Sequence, residues 1–372
     1  MPLYQSISKI GEGTFSEVFR VQEVHSRQIY ASKCLKRRFK TSWHVSNFRE
    51  IKALRSLSDH PNIIRLIDVL YDSRTGRLAL IFELLDLNLY DFIKDRTDPV
   101  PLKLVRNWLF QILLALEFMH NMGVFHRDVK PENLMISGSI LKVADLGSCK
   151  SVKSSPPHTD YISTRWYRAP ECLLTDGYYS KEMDIWATGC VMYEVITLQP
   201  LFPGQNEIDQ LDLIHQTFGT PSISDIRSMF GTRASAAAQA EMRLHGGEGL
   251  QRKFSQPMSD PQLFNLLNLL LLYDYRKRIT ASDALSHRTF LSNREDFHST
   301  MYVILLFSYT CHPILENTIG RLRAQCSKTK SCRNLFRNST RFIYEVIGRT
   351  GHRPLRQMFA NVRFKKRRST ID

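Results

Sequence analysis

Over the first 82 residues apolar positions come in short runs with strand character. "SISKIGEGTFSEVFRVQEV" holds an apolar run, a glycine-rich turn and then Phe19 and Val21 alternating with Val18, Arg20 and Gln22. "QIYASKCLK" reads as a further strand. Between 45 and 57 the period changes, with Phe48, Ile51 and Leu54 on one helical face, and His60-Pro61-Asn62 ends it. Two more strands, "IIRLIDVLY" and "LALIFEL", flank a turn at Thr75-Gly76. From about residue 84 the spacing is helical. Val105, Trp108, Leu109, Ile112, Leu113, Leu116 and Met119 recur at i, i+3, i+4 and i+7. "MDIWATGCVMYEVIT" (183–197) is apolar nearly all round, as is the segment 263–274, so both are predicted as helices buried in a lobe. The pattern predicts an α+β chain of two lobes. Residues 1–83 form a small β-rich lobe and 84–291 a larger helical one with a variable surface insertion at about 222–258. Residues 292–372 are expected to be a basic, partly disordered tail.

Composition adds limits. Of 372 residues 43% are hydrophobic and 23% charged, ordinary for a folded soluble protein. No run approaches the roughly 20 apolar residues that span a bilayer, so no transmembrane segment is expected. "MPLYQSISKI" lacks the charged-then-apolar order of a signal peptide. Seven scattered cysteines without a CxxC pair fit a reducing, cytoplasmic setting. The net charge is +15, but residues 297–372 hold 15 Lys/Arg against three acids, which leaves +3 for the first 296. The basic character therefore points to the tail. There "RFKKRRST" (363–370) is a candidate nuclear-localisation, nucleic-acid or anionic-surface patch.

The chemistry lies between the strands and the helices. Gly11 and Gly13 in "GEGTFSEV" let backbone amides approach an anion with no Cβ in the way. Lys33, on the next strand among apolar neighbours, needs an anionic partner, and Glu50 sits one helix further on. "HRDVKPEN" follows the long helix: Asp128 is placed to accept a proton, Lys130 to neutralise a transferred phosphoryl group, and Asn133 to offer a carbonyl oxygen to a hard cation. Twelve residues later "ADLG" sets Asp145 just after a strand.

This ordered set, closed by "APE" at 169–171, resembles the eukaryotic protein kinases over roughly residues 4–290. The resemblance implies ATP and Mg²⁺ as cofactors. Lys33 would hold phosphates and pair with Glu50, Asp128 would be the base, and Asn133 and Asp145 would bind Mg²⁺. The nucleotide site would comprise Ile10, the loop Gly11, Glu12, Gly13, Thr14, Phe15, Ser16, Glu17 and Val18, then Ala31, Phe82, Glu83, Leu85 and Leu134. Ser16 stands where the family has a third glycine, and Leu146 where it has Phe. Lys130 resembles the loop of kinases that act on protein serine and threonine. "TRWYRAPE" with Thr159 and Tyr161 upstream is similar to the group containing cyclin-dependent and mitogen-activated kinases, and within it to the MAPK/MAK/MRK-overlapping kinases. That implies phosphorylation of Thr159 and Tyr161 by an upstream kinase. Arg127 would receive the first phosphate, Arg165 and Arg168 the second. It also implies a preference for a following proline, and activity at cilia and in the nucleus. "SNFREIKALRSL" departs from cyclin-binding helices, so no cyclin partner is expected. The alternative is a pseudokinase scaffold that binds nucleotide and partners without transfer.

Overall fold

The computed structural model describes residues 3–58, 60–158, 164–236, 239 and 242–290. The tail at 292–372 lies outside them. Five strands, β1 (Tyr4–Glu12), β2 (Ser16–Glu23), β3 (Ile29–Leu35), β4 (Leu66–Asp72) and β5 (Arg77–Glu83), form one antiparallel sheet in the order β1-β2-β3-β5-β4. Lys33 lies opposite Val18 and Leu80, so these side chains share one face. Glu17, Cys34, Ala79 and Leu70 pair in the next row and take the other face.

The helix predicted over 45–57 is two helices. In α1 (Ser42–Ser46) the Thr41 hydroxyl accepts from the His44 amide. The chain turns at Asn47-Phe48, and α2 (Arg49–Ser56) buries Glu50, Ile51, Ala53 and Leu54. The following segment ties the sheet to the larger lobe. The Asn62 amide donates to Gln111 Oε1 and to the Leu141 carbonyl, each at 2.8 Å. The His60 ring stacks on Phe118 with centroids 5.0 Å apart.

The larger lobe opens with β6 (Leu87–Asn88), α3 (Leu89–Ile93) and α4 (Leu102–Asn121). Short strands follow: β7 (Val124–Phe125), β8 (Leu134–Ser137), β9 (Ile140–Val143) and β10 (Lys150–Ser151). The helices α5 (Pro170–Leu174), α6 (Glu182–Thr197), α7 (Glu207–Phe218), α8 (Ile223–Phe230), α9 (Pro261–Leu270) and α10 (Ala281–Leu285) complete it. Short polar side chains start most of the later helices. Asn206, Ser222, Asp260 and Thr280 each accept a first-turn amide of α7, α8, α9 and α10 respectively. Within α6 every side chain from Met183 to Val195 is buried, as its all-round apolar pattern requires.

One ion pair locks this lobe. The Arg278 guanidinium forks onto Glu171 at 2.6 and 2.9 Å and also reaches the Glu182 carbonyl. Both charged groups are almost wholly enclosed. Arg278→Ala leaves Glu171 buried without its countercharge and is expected to cost about 3–5 kcal/mol. Urea unfolding measures it, and a midpoint equal to wild type would refute the pair's role.

Candidate active site

A cleft of about 490 Å³ opens between the sheet and the larger lobe. Ile10, Gly11, Glu12, Gly13, Ser16, Val18 and Ala31 line it from the sheet, Phe82, Glu83 and Leu85 from the connecting segment, and Lys33, Glu50, Asn133 and Asp145 from within. A Cβ on Gly11 or Gly13 would meet only ordinary contacts, the nearest at 3.7 and 3.9 Å. Packing inside the fold does not require glycine at either position, and both line the cleft.

Four expected members of the lining are elsewhere. Thr14 and Phe15 form the exposed tip of the hairpin, Phe15 with 80% of its surface in solvent. Glu17 belongs to the opposite face of the sheet, where it accepts from Lys9 at 2.7 Å. Leu134 is fully buried in the core, and Met135 lines the cleft in its place. The cause is strand alternation: in β8 residues 134 and 136 are buried while 135 and 137 are half-exposed.

Lys33 joins three elements. Its ammonium donates to Glu50 Oε1 of α2 at 2.7 Å and to Asp145 Oδ1 at 2.9 Å. Burial works against its charge, yet Asp145 and Glu50 more than reverse this and hold its pKa above the ordinary lysine range. Burial likewise opposes the Asp145 carboxylate, and Lys33 draws it back below the usual value. Glu50 is pushed up by burial, with Lys33 offsetting part of the rise.

The loop beneath is held from α6. The buried Asp184 carboxylate accepts the backbone amides of His126 and Arg127, each at 2.8 Å. It also contacts His120 Nε2 at 2.9 Å. These bonds stabilise Arg127 at φ 73°, a left-handed backbone that a β-carbon disfavours. Asp128 is next in line. The Asn133 side-chain amide donates to its backbone carbonyl at 2.8 Å and to Oδ2 at 3.0 Å, and Lys130 Nζ lies 3.2 Å from the same oxygen. Both protons of the Asn133 amide are thereby turned to Asp128, which aims its carbonyl oxygen elsewhere. Asp145 is left-handed too, at φ 55° and ψ 70°, and Leu146 behind it is fully buried in the core that includes Leu54.

The protein kinase domain family matches residues 4–290. The chain belongs to the protein kinase family. It is 46% identical over 295 residues to the human MAPK/MAK/MRK overlapping kinase, covering 79% of this chain and 69% of that one. It is 41% identical over 291 residues to the mouse serine/threonine-protein kinase ICK, and 39% identical over 291 residues to the human serine/threonine-protein kinase MAK. It spans 78% of its own length in both, but only 45% of ICK and 46% of MAK.

In this kinase Thr159 and Tyr161 lie outside the described residues. The arginines expected to receive their phosphates are placed apart. Arg127 Nη2 donates to the Tyr179 hydroxyl at 3.0 Å, with its guanidinium 5.7 Å from that ring's centroid. Arg165 donates to the Gln205 carbonyl at 3.1 Å, and Arg168 to Glu207 Oε1 at 2.7 Å. Two cations that sequence reasoning missed stand near Arg127. Lys150, on β10 opposite Phe125 of β7, donates to His158 Nδ1 at 2.6 Å. Burial lowers its pKa, and the charges of Arg127 and Arg49 lower it further. Only the β10–β7 pairing, invisible in the sequence, brings Lys150 to this spot. Cys149 is buried and its thiol is pushed well up, which makes it an inert core residue.

The swap of Leu134 for Met135 separates two substitutions. Leu134→Ala is expected to cost about 2–5 kcal/mol of stability and leave nucleotide affinity unchanged. Met135→Ala is expected to weaken nucleotide binding about 3- to 10-fold with a smaller stability loss. Urea unfolding and nucleotide titration of both variants decide, and the opposite assignment would restore Leu134 to the cleft.

Proposed function

We propose that this chain is an ATP- and Mg²⁺-dependent protein serine/threonine kinase, proline-directed and activated by phosphorylation of Thr159 and Tyr161. The observation that carries it is Lys33 held between Glu50 and Asp145 in the cleft, with Asn133 of the same lining bonded to the Asp128 carboxylate, which lies beside Lys130. Lys33 and the amides around Gly11 and Gly13 would receive phosphate oxygens. Asp128 would take the proton of a substrate hydroxyl, with Asn133 and Lys130 fixing its orientation. A serine or threonine side chain is short enough to approach Asp128, and two of the relatives named above, ICK and MAK, are serine/threonine-protein kinases.

The donor set fits a hard cation. Around the cleft Lys33 and Arg20 face Glu12, Glu50, Glu83, Asp86, Asp91, Glu132 and Asp145, so carboxylates outnumber cations and a polyanion would need countercharge to enter. Among the described residues no group of three or more His, Cys, Asp or Glu could hold a metal by itself. Asn133 and Asp145 would therefore share Mg²⁺ with phosphate oxygens, the usual way this ion is bound. Bound there it would neutralise charge on the phosphates. A pseudokinase scaffold is disfavoured, because Lys33, Asp128, Asn133 and Asp145 are all present and all but Lys33's carboxylate pair would be dispensable to a scaffold.

Loop phosphorylation is supported by cations among the flanking residues: Lys150 is bonded to His158 and lies near Arg127 and Arg49. Phosphate adds about −1.5 to −2 charges and three acceptor oxygens. Arg127, Lys150 and Arg49 would receive that of Thr159, and Arg165 with Arg168 that of Tyr161. The preference for a following proline, and a place in the cytoplasm, cilium and nucleus, rest on the sequence resemblance.

Two measurements test the proposal. Transfer of radiolabelled phosphate to a general Ser/Thr substrate is expected to fall at least about 100-fold in Asp128→Asn. Equal incorporation would sink the assignment of the base. Mass spectrometry of the active enzyme is expected to find phosphate on both Thr159 and Tyr161, with phosphatase treatment lowering the rate. Full activity with both residues unmodified would overturn the activation scheme.

A further inference from the structure

We propose that the outer face of the five-stranded sheet is a docking groove for an acidic, amphipathic segment of a partner protein. A hollow of about 850 Å³ lies on the face turned away from the nucleotide cleft. Its floor is the paired row Cys34, Ala79 and Leu70, with Phe19 beside it on β2. All four are half-buried, and none belongs to the hydrophobic core of the described residues. They are apolar positions that the lobe itself does not cover.

The rim is cationic. Lys36, Arg38 and Arg77 border the hollow and are exposed. They come from distant parts of the chain and are stitched together. Arg38 Nη1 donates to the Thr75 carbonyl at 2.9 Å, and the Phe39 amide to the Gly76 carbonyl at 2.8 Å. Gly76 is required there, since at φ 69° a Cβ would lie 2.7 Å from the Phe39 carbonyl. The carboxylates at the hollow are already engaged: Glu17 with Lys9, and Asp72 with the Thr75 hydroxyl and the Arg74 amide. Lys36 is engaged with Glu12, whereas Arg38 and Arg77 form no ion pair among the described residues. Residues 1–83 hold 14 Lys/Arg against eight Asp/Glu, while 84–296 hold 22 against 25. The small lobe is thus a positive surface of its own, hidden in the modest total charge of the body.

Charge and shape select the occupant. The segment 297–372 of this chain, with 15 Lys/Arg against three acids, would be repelled by the rim. A bilayer is flat, and the apolar floor lies recessed below exposed cations. A peptide that places apolar side chains on the floor and carboxylates at the rim satisfies both. The hollow spans four strands, roughly 14 Å, which takes about four extended residues.

The test uses the full chain and a fluorescein-labelled nonapeptide of alternating Glu and Leu, with its Lys-for-Glu counterpart and phosphatidylserine vesicles as the other arms. The acidic peptide is expected to bind more weakly as salt rises and to slow alkylation of Cys34 by iodoacetamide. The double variant Arg38→Glu, Arg77→Glu should weaken binding at least about tenfold, and Ala79→Trp, which fills the floor with the rim intact, should do the same. Both variants should keep wild-type phosphate transfer to a general substrate. Equal peptide binding by the variants, or unchanged Cys34 alkylation, would overturn the proposal. So would vesicle binding that depends on Arg38 and Arg77 with no peptide binding. Cys34 already shielded in the free protein would overturn it too, since the chain's own tail or a second copy would then be the occupant.

Discussion

One buried carboxylate sets the geometry on which the cleft's chemistry depends. Asp184 sits on a helix whose every other neighbouring side chain is enclosed, and only 1% of its surface reaches solvent. An ionised group in such a place costs several kcal/mol unless it is well bonded. Asp184 is bonded, by two consecutive backbone amides and an imidazole. Charge-assisted bonds of this kind contribute about 1.5–3 kcal/mol each. The two consecutive amides meet its two oxygens, and the chain turns left-handed at Arg127, directly after them. The loop's shape is therefore dictated from the middle of the larger lobe, and Asp128 inherits its position from that shape.

The second anchor works across the lobes. Lys33 belongs to the sheet, Glu50 to α2 and Asp145 to the segment after β9, and the three meet at hydrogen-bond distance. The ammonium cannot serve both acids unless the helix sits close against the sheet and the segment folds inward. Asn62 and His60 supply a fixed point for that closure, because the first is bonded to α4 and β9 and the second stacked on α4. Sheet, helix and loop thus share one register, and displacing any of them breaks an ion pair.

Much of this was legible in the residues. The change from short apolar runs to helical spacing near residue 84 marks the two lobes, and Lys33, Glu50, Asp128, Asn133 and Asp145 stand out because charged groups are scarce in such surroundings. What escaped was phase and pairing. A run such as "ENLMIS" does not say whether 134 or 135 faces the cleft; the core decides, and it took Leu134. Glu17 was lost to the same alternation. Lys150 looks like any surface lysine until β10 is laid against β7. The break of one predicted helix into α1 and α2 depends on the Thr41 cap and on Phe48, whose ring packs edge-on against Phe39 at 5.2 Å. Charge totals misled in another way, since opposite signs in the two lobes cancelled and left the tail as the only visible excess.

The left-handed backbone at Asp145 has a thermodynamic consequence. A non-glycine residue held there stores on the order of 1–3 kcal/mol, enough to tilt a two-state balance by roughly tenfold to a hundredfold. The inward arrangement of the segment is in that sense spring-loaded, with Lys33 as the catch. Leu146 behind it is fully buried, though it offers the core less surface than a larger ring would. One new ion pair supplies free energy of the same size as this strain.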